Sequence, residues 1–311
     1  MTAQTTLSSR RGLLLLLAGS CFPFVASNSR AQITGSFPDY YMNGGTDTRT
    51  SYSLGAGASS ETGVSSVISY TLWQNGGILN FGTFDLGIGL STPSQPNNDK
   101  GGIFNMGAGI ANIGNFNVGA VGTYVGHGYV SHYAGDLNVS GTLRIGRSVA
   151  TGSYSLNHHG MLNANSIMIG SPPPIYGTSG LYLNGGILTT SSIGNDSGNH
   201  ARYLSFNNNA YLRAGSTDNP DWIARSLVVS VNGDVQIDTN GRNMGIAANL
   251  GNSESTGKLT KKGAGTLALS GSNLYSGSTT IREGTLSVSA EGQFGAAGNA
   301  LNIHNGTFRI T

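Results

Sequence analysis

The sequence predicts an all-β chain wound as a parallel, right-handed β-helix, a solenoid of short rungs behind a cleaved leader. Three observations predict it. The 311 residues include 49 glycines and only 10% charged residues. Glycine at about twice its usual ~7%, and charge at under half its usual ~25%, do not suit a helical bundle or a doubly wound enzyme. Short strands with apolar side chains at i and i+2 recur along the whole length, which is the period of a strand with one buried face. Those strands in turn repeat in units of similar length, the mark of a stacked coil. Disorder is excluded, because 38% of the residues are hydrophobic and the formal charge is only +2.

Residues 1–31 read as the leader. They carry the pair Arg10 and Arg11, the apolar run Leu13-Leu14-Leu15-Leu16-Leu17-Ala18 and the small-residue end Ser29-Arg30-Ala31, with cleavage expected after Ala31. Ser9-Arg10-Arg11-Gly12-Leu13-Leu14 fits both general-secretion and twin-arginine export. Removal of Arg10, Arg11 and Arg30 lowers Lys plus Arg from 16 to 13 against 14 acids, a net charge near −1. No basic footprint for nucleic acid remains, so no nucleic-acid partner is expected. The single cysteine, Cys21, leaves with the leader, which rules out disulfides and cysteine metal sites in the rest.

Residues 32–60 are read as an N-terminal cap or lead-in, and 61–256 as degenerate rungs of about 24 residues. The strands include Phe84-Asp85-Leu86-Gly87-Ile88, Leu143-Arg144-Ile145, Ile167-Met168-Ile169, Leu181-Tyr182-Leu183 and Val235-Gln236-Ile237. An apolar residue followed by glycine closes units at Ile88, Val118, Ile145, Ile169 and Ile193, at intervals of 30, 27, 24 and 24. Asn75-Gly76-Gly77-Ile78-Leu79 returns as Asn184-Gly185-Gly186-Ile187-Leu188. Asn-Gly pairs at 43, 75, 184, 232, 240 and 305 are read as tight turns. About a dozen rungs at ~4.8 Å would build a rod ~55 Å long.

From 257 the pattern becomes specific. Gly257-Lys258-Leu259-Thr260-Lys261-Lys262-Gly263-Ala264-Gly265-Thr266-Leu267-Ala268-Leu269-Ser270-Gly271 is followed by Asn273-Leu274-Tyr275-Ser276-Gly277-Ser278-Thr279-Thr280-Ile281-Arg282-Glu283-Gly284-Thr285-Leu286. This stretch resembles the autotransporter-associated β-strand repeat, with Lys262 and Ser278 as small departures. The resemblance covers about 257 to 288, within a repeat region read as 257–311 and expected to continue further. It implies an exported β-helical passenger, at the cell surface or outer membrane or extracellular, with a barrel or anchor in a downstream segment. It implies no catalytic activity and no cofactor, since the matching residues are rungs and turns.

Chemistry outside the repeat is sparse. Tyr124, His127, Tyr129, His132 and Tyr133 form the most aromatic stretch and are read as a ligand-contact loop, with a glycan or a surface protein as the ligand class, or else as a stack inside a rung. Catalytic, cofactor and metal residues are assigned to none. The favoured function is a non-enzymatic structural or adhesive surface passenger. The alternative is a secreted glycan-degrading lyase or hydrolase, which three or more of Asp218, Asp221, Asp234, Asp238 and Lys258 gathered on one concave face would support.

Overall fold

Alternation of apolar and polar residues makes strands, and here it stacks them. In the computed structural model, which describes residues 34–36, 39–54, 69–87, 100–119, 126–147, 150–170, 178–195 and 202–311, nearly every regular element is a β-strand. The leader residues Arg10, Arg11 and Ala31 lie outside the described residues, as does Tyr124. The strands are β1 (Thr34–Ser36), β2 (Asp39–Met42), β3 (Thr46–Leu54), β4 (Ser69–Leu86), β5 (Lys100–Val118), β6 (Gly126–Ile145) and β7 (Thr151–Ile169). They continue with β8 (Ser179–Thr190), β9 (Ile193–Asn195), β10 (Arg202–Asn207), β11 (Tyr211–Ala214), β12 (Asn219–Ile223), β13 (Val228–Val231), β14 (Asp234–Asp238) and β15 (Met244–Ile246). The last are β16 (Lys258–Lys262), β17 (Thr266–Leu269), β18 (Thr279–Ile281), β19 (Gly284–Val288), β20 (Leu301–Ile303) and β21 (Gly306–Ile310).

These strands pair in parallel from layer to layer. β2 and β3 lie on β4, then come β5, β6 and β7, then β8 with β9, β10 to β12, β13 to β15, β16 with β17, β18 with β19 and β20 with β21. The exception is β1, which folds back antiparallel on β2 within the first layer. The result is a parallel β-solenoid.

A full layer has three sides. In β6 the ladder shifts register between His132 and Ala134 and again between Val139 and Thr142, so one strand turns two corners without leaving the sheet. The first side runs through the starts of β4 to β8, β10 and β13; the second runs through their middles, β11, β14, β16, β18 and β20. The third runs through the ends of β4 to β7, β9, β12, β15, β17, β19 and β21. Strands read as separate and short up to residue 169 are thus joined into strands of 18 to 20 residues.

Inward rows make a continuous core. On the second side, Leu79, Ala111, Leu137, Leu162, Leu188, Leu212 and Ile237 are fully buried. In the early layers the Phe84 and Phe116 rings face each other in register and stack at 4.9 Å, with Phe104 edge-on to both. Such offset and edge contacts add to area burial.

Val118, Ile145 and Ile169 stand in one row, so the 27- and 24-residue intervals are those of the layers. Gly119 and Gly146 follow them at φ 76° and 73°, and the Gly119 N–H donates to the Leu86 carbonyl at 2.8 Å. A side chain there would be in the wrong backbone region and would meet the strand two further on, at Thr151 for Gly119 and Ser179 for Gly146. The outer intervals differ from expectation. Leu86, 32 residues before Val118, is its partner, whereas Ile88 lies outside the described residues; Ile193 faces Ile167, not Ile169. An apolar-glycine pair is a local signal, while register is chosen by which side chains fill the core.

Candidate functional site

The stretch expected as a ligand loop is the start of β6, a strand on the first side. Alternation sends Tyr129 and Tyr133 outward, 47% and 54% exposed, and buries His132 completely. His132 Nε2 donates to the Gly135 carbonyl at 2.9 Å, leaving Nδ1 to accept from the Tyr154 hydroxyl at 2.9 Å. Burial lowers the His132 pKa, against the Gly135 bond and the Asp136 charge, which raise it. Burial also pushes the Tyr154 phenol up. His127 is half-buried and hydrogen-bonded to the Thr151 hydroxyl. The four described residues of the stretch lie on one strand, and His132 belongs to the interior, where a neutral imidazole is the form that survives desolvation.

Asp234, Asp238 and Lys258 share the second side, whereas Asp221 stands on the third. Asp234 and Asp238 share the outer face of β14 but stand four residues apart, ~13 Å along a strand, beyond the ~5–9.5 Å that separates glycosidase carboxylates. Each has its own partner. Asp234 faces Lys258 of the next layer at 3.7 Å. Asp238 accepts from the Tyr211 hydroxyl at 2.8 Å and the Asn240 N–H at 2.8 Å, beside Arg213 at 3.5 Å. Burial, reinforced by Asp238, raises the Tyr211 phenol to about 12. Asp218 accepts both N–H groups of Asn243, which lower its pKa, and Asp221 is exposed on β12 of the third side. Among the described residues no three His, Cys, Asp or Glu gather where they could hold a metal ion.

The repeat motif proves to be architectural. Lys261 occupies the inward row between Ile237 and Ile281, fully buried. Its ammonium lies within 2.6 to 3.1 Å of the carbonyls of Gly263, Lys262 and Glu283 and of the Thr239 hydroxyl. Burial lowers its pKa to about 8, opposed by the charges of Asp238 and Glu283. Asn273 accepts the Leu250 N–H at 2.7 Å and donates to the Gln293 carbonyl, tying three successive layers. Tyr275 is buried, its hydroxyl bonded to Thr279 at 2.7 Å, while its carbonyl accepts Ala296 and Asn299. These residues replace the first-side strand, which shrinks to the single bridge Val229–Leu250 after β13.

Two ladders of asparagine amides escaped the sequence reading. Asn80, Asn112, Asn138 and Asn163 bond in line at 2.9 to 3.0 Å on the second side. Asn157, Asn184, Asn207 and Asn232 do so at the corner after the first side, at 2.9 to 3.2 Å. Asn184 and Asn232 each precede a glycine, and their sequence context points to a turn. Of the Asn-Gly pairs, Asn240-Gly241 has both residues left-handed, at φ 51° and 78°. Identical residues at layer-length intervals are the signal that could have found the ladders. Beside the first of them a shallow groove of about 300 Å³ crosses several layers, lined by Asn138, Asn163, Asn165, Thr189, Ser191 and Ser216.

Known proteins share part of this sequence. Residues 259–288, the strands β16 to β19, match the passenger-associated-transport-repeat family. The chain thus carries a repeat of the autotransporter-passenger kind within a parallel β-solenoid. It is also 45% identical over 51 residues, 16% of its length, to the protein titled "Adhesin BmaC autotransporter" of Brucella suis biovar 1 (strain 1330). The aligned part spans only 2% of that relative's own length. No solved structure matches the chain. No helix of the described residues is long and apolar enough to cross a membrane.

Proposed function

We propose that the chain works as an exported, non-enzymatic passenger segment: a stiff solenoid held at the cell surface or released outside, serving structural and adhesive ends. The observation that carries this is the coincidence of the passenger repeat with unbroken in-register stacking across β14, β16, β18 and β20. A rod of this kind gains length by adding layers, and contacts repeated along it bind multivalently. The likeness to an adhesin supports the adhesive part.

The test is to treat intact native cells with a membrane-impermeant biotin reagent and, separately, with protease. The gene product is then probed with antibody raised against residues 202–311. Labelling on intact cells, or recovery from the medium, is expected. Labelling only after lysis would overturn export.

A further inference from the structure

One side of the solenoid differs from the others in what it shows to solvent. On the first side the inward positions Leu72, Phe104, Val130, Tyr154, Leu181 and Leu204 are all buried, so the residues between them form two outward rows. One row runs in register from Thr71 through Tyr129 and Tyr203 to Val228. The other runs from Trp73 through Asn105, Ser131, Ser155 and Tyr182 to Ser230. From Thr71 and Trp73 onward neither row contains an Asp, Glu, Lys or Arg. Charges collect instead on the second side, at Arg213, Asp234, Asp238, Lys258 and Lys262.

The aromatics on this side are spaced and oriented. Trp73, Tyr129 and Tyr182 belong to β4, β6 and β8, every second layer, and so recur about every ~10 Å along the axis. Trp73 and Tyr129 are 36% and 47% exposed. The Tyr182 ring lies down over Gly180, where an added Cβ would meet its Cζ, Oη and Cε2 at 2.8 to 2.9 Å. Tyr203 stands next to that same glycine in the following layer. A ring laid flat on a sheet turns its outer face to solvent, and Gly180 is what lets it lie flat. The hydroxyls and amides between the rings are short and neutral.

We infer that the first side is a carbohydrate-binding face, which takes an uncharged polysaccharide chain lying across the layers. The inference rests on the adhesive reading above and gives it a ligand class. Sugar rings offer apolar C–H faces that stack on Trp and Tyr, and hydroxyls that bond to Ser, Thr and Asn. A row without charge neither attracts nor repels ions, so a neutral chain suits it and an anionic one gains nothing. A protein partner is disfavoured by the same composition. Protein interfaces concentrate aromatic anchors with Arg in a packed centre, whereas these rings are separated by serine and glycine.

The purified full chain is run by affinity electrophoresis in native gels containing soluble neutral polysaccharides (β-glucan, mannan, galactan, xylan) and, as anionic probes, alginate and polygalacturonate. At least one neutral polysaccharide is expected to retard the chain, and the anionic ones are not. The triple variant Trp73→Ala, Tyr129→Ala, Tyr182→Ala should lose retardation at least ten-fold, and Gly180→Val, which lifts the Tyr182 ring, several-fold. Tyr211→Phe on the second side should change nothing. All of these positions lie on outward rows, and matching circular dichroism and melting curves check that the variants fold. Retardation by no neutral probe, retardation that survives the triple variant, or retardation by anionic probes alone overturns the proposal. Binding is read on purified protein and export on intact cells, so either reading can fail without the other.

Discussion

The layers before residue 200 and those of the passenger repeat solve one stacking problem in two ways. Upstream, each layer is long: Leu86 lies 32 residues before its partner Val118, and its strand turns corners within one continuous ladder. In the repeat, Leu259 faces Thr279 after 20 residues and Thr266 faces Thr285 after 19. The long layers fill their interior with Phe84, Phe104 and Phe116 and stitch their surface with asparagine amides. The short layers have two strands, and polar groups inside take over the missing side: Lys261 holds a corner and Asn273 joins layers. A wide coil is stabilised by apolar volume. A narrow one has less interior to fill and depends on satisfying each buried carbonyl.

The strongest blow to the long layers is Phe116→Ala. It removes a fully buried ring from the Phe84 stack and should cost about 3–5 kcal/mol in urea unfolding followed by a probe in β4 to β6. A loss equally large when the probe sits in β16 to β19 would show that the two regions unfold as one unit, against the nearest-neighbour behaviour expected of solenoids.

Lys261→Met is the counterpart in the short layers. It keeps the volume but strips three carbonyls and Thr239 of their donor, and should cost about 2–3 kcal/mol, read as faster hydrogen exchange in β16 and β18. Its pH dependence has a definite sign. The folded pKa of about 8 lies below the ordinary lysine value, so between these the unfolded state holds more protons and stability rises with pH. Tyr154 and Tyr275, whose pKa values are raised by burial, act oppositely: their contribution is lost as pH climbs past ~10. A melting temperature that rises from pH 8 towards 10 in the wild type, and stays flatter in Lys261→Met, is the expected result.

Smaller effects belong to the surface. Asn138→Ala breaks the ladder on both its sides and should cost about 1 kcal/mol, confined to β5 to β7. Asp234→Asn, in a half-exposed ion pair with Lys258, should stay within about 0.5 kcal/mol and lose even that at high salt. An Asn138 variant as silent as the Asp234 one would mean that the ladder follows the stacking and does not support it.

Legibility in the sequence followed the range of the physics involved. Period-2 alternation and the Val118, Ile145 and Ile169 row are local or strictly repeated, and both were readable. The apolar-glycine pattern points to Ile88 as the counterpart of Val118, whereas the partner is Leu86, an apolar residue that glycine follows just as it follows Ile88. Tyr129 and Tyr133 are legible as a pair because they are close in sequence. Trp73 and Tyr182 are not, since only register carries them to the same face.

The sequence by itself determined that the chain is a stack of strands, that Val118, Ile145 and Ile169 with their glycines mark one row, and that a passenger repeat lies at about 257 to 288, since each follows from short-range pattern. Only the tertiary structure decided that His132 is interior and Tyr129 exterior, that Lys261 caps a buried corner, and that two outward rows of one side carry aromatics and no charge from Thr71 and Trp73 onward. Those properties belong to residues 20 to 32 positions apart, brought within one layer spacing by hydrogen bonds that any strand could make and by a core that accepts only one register.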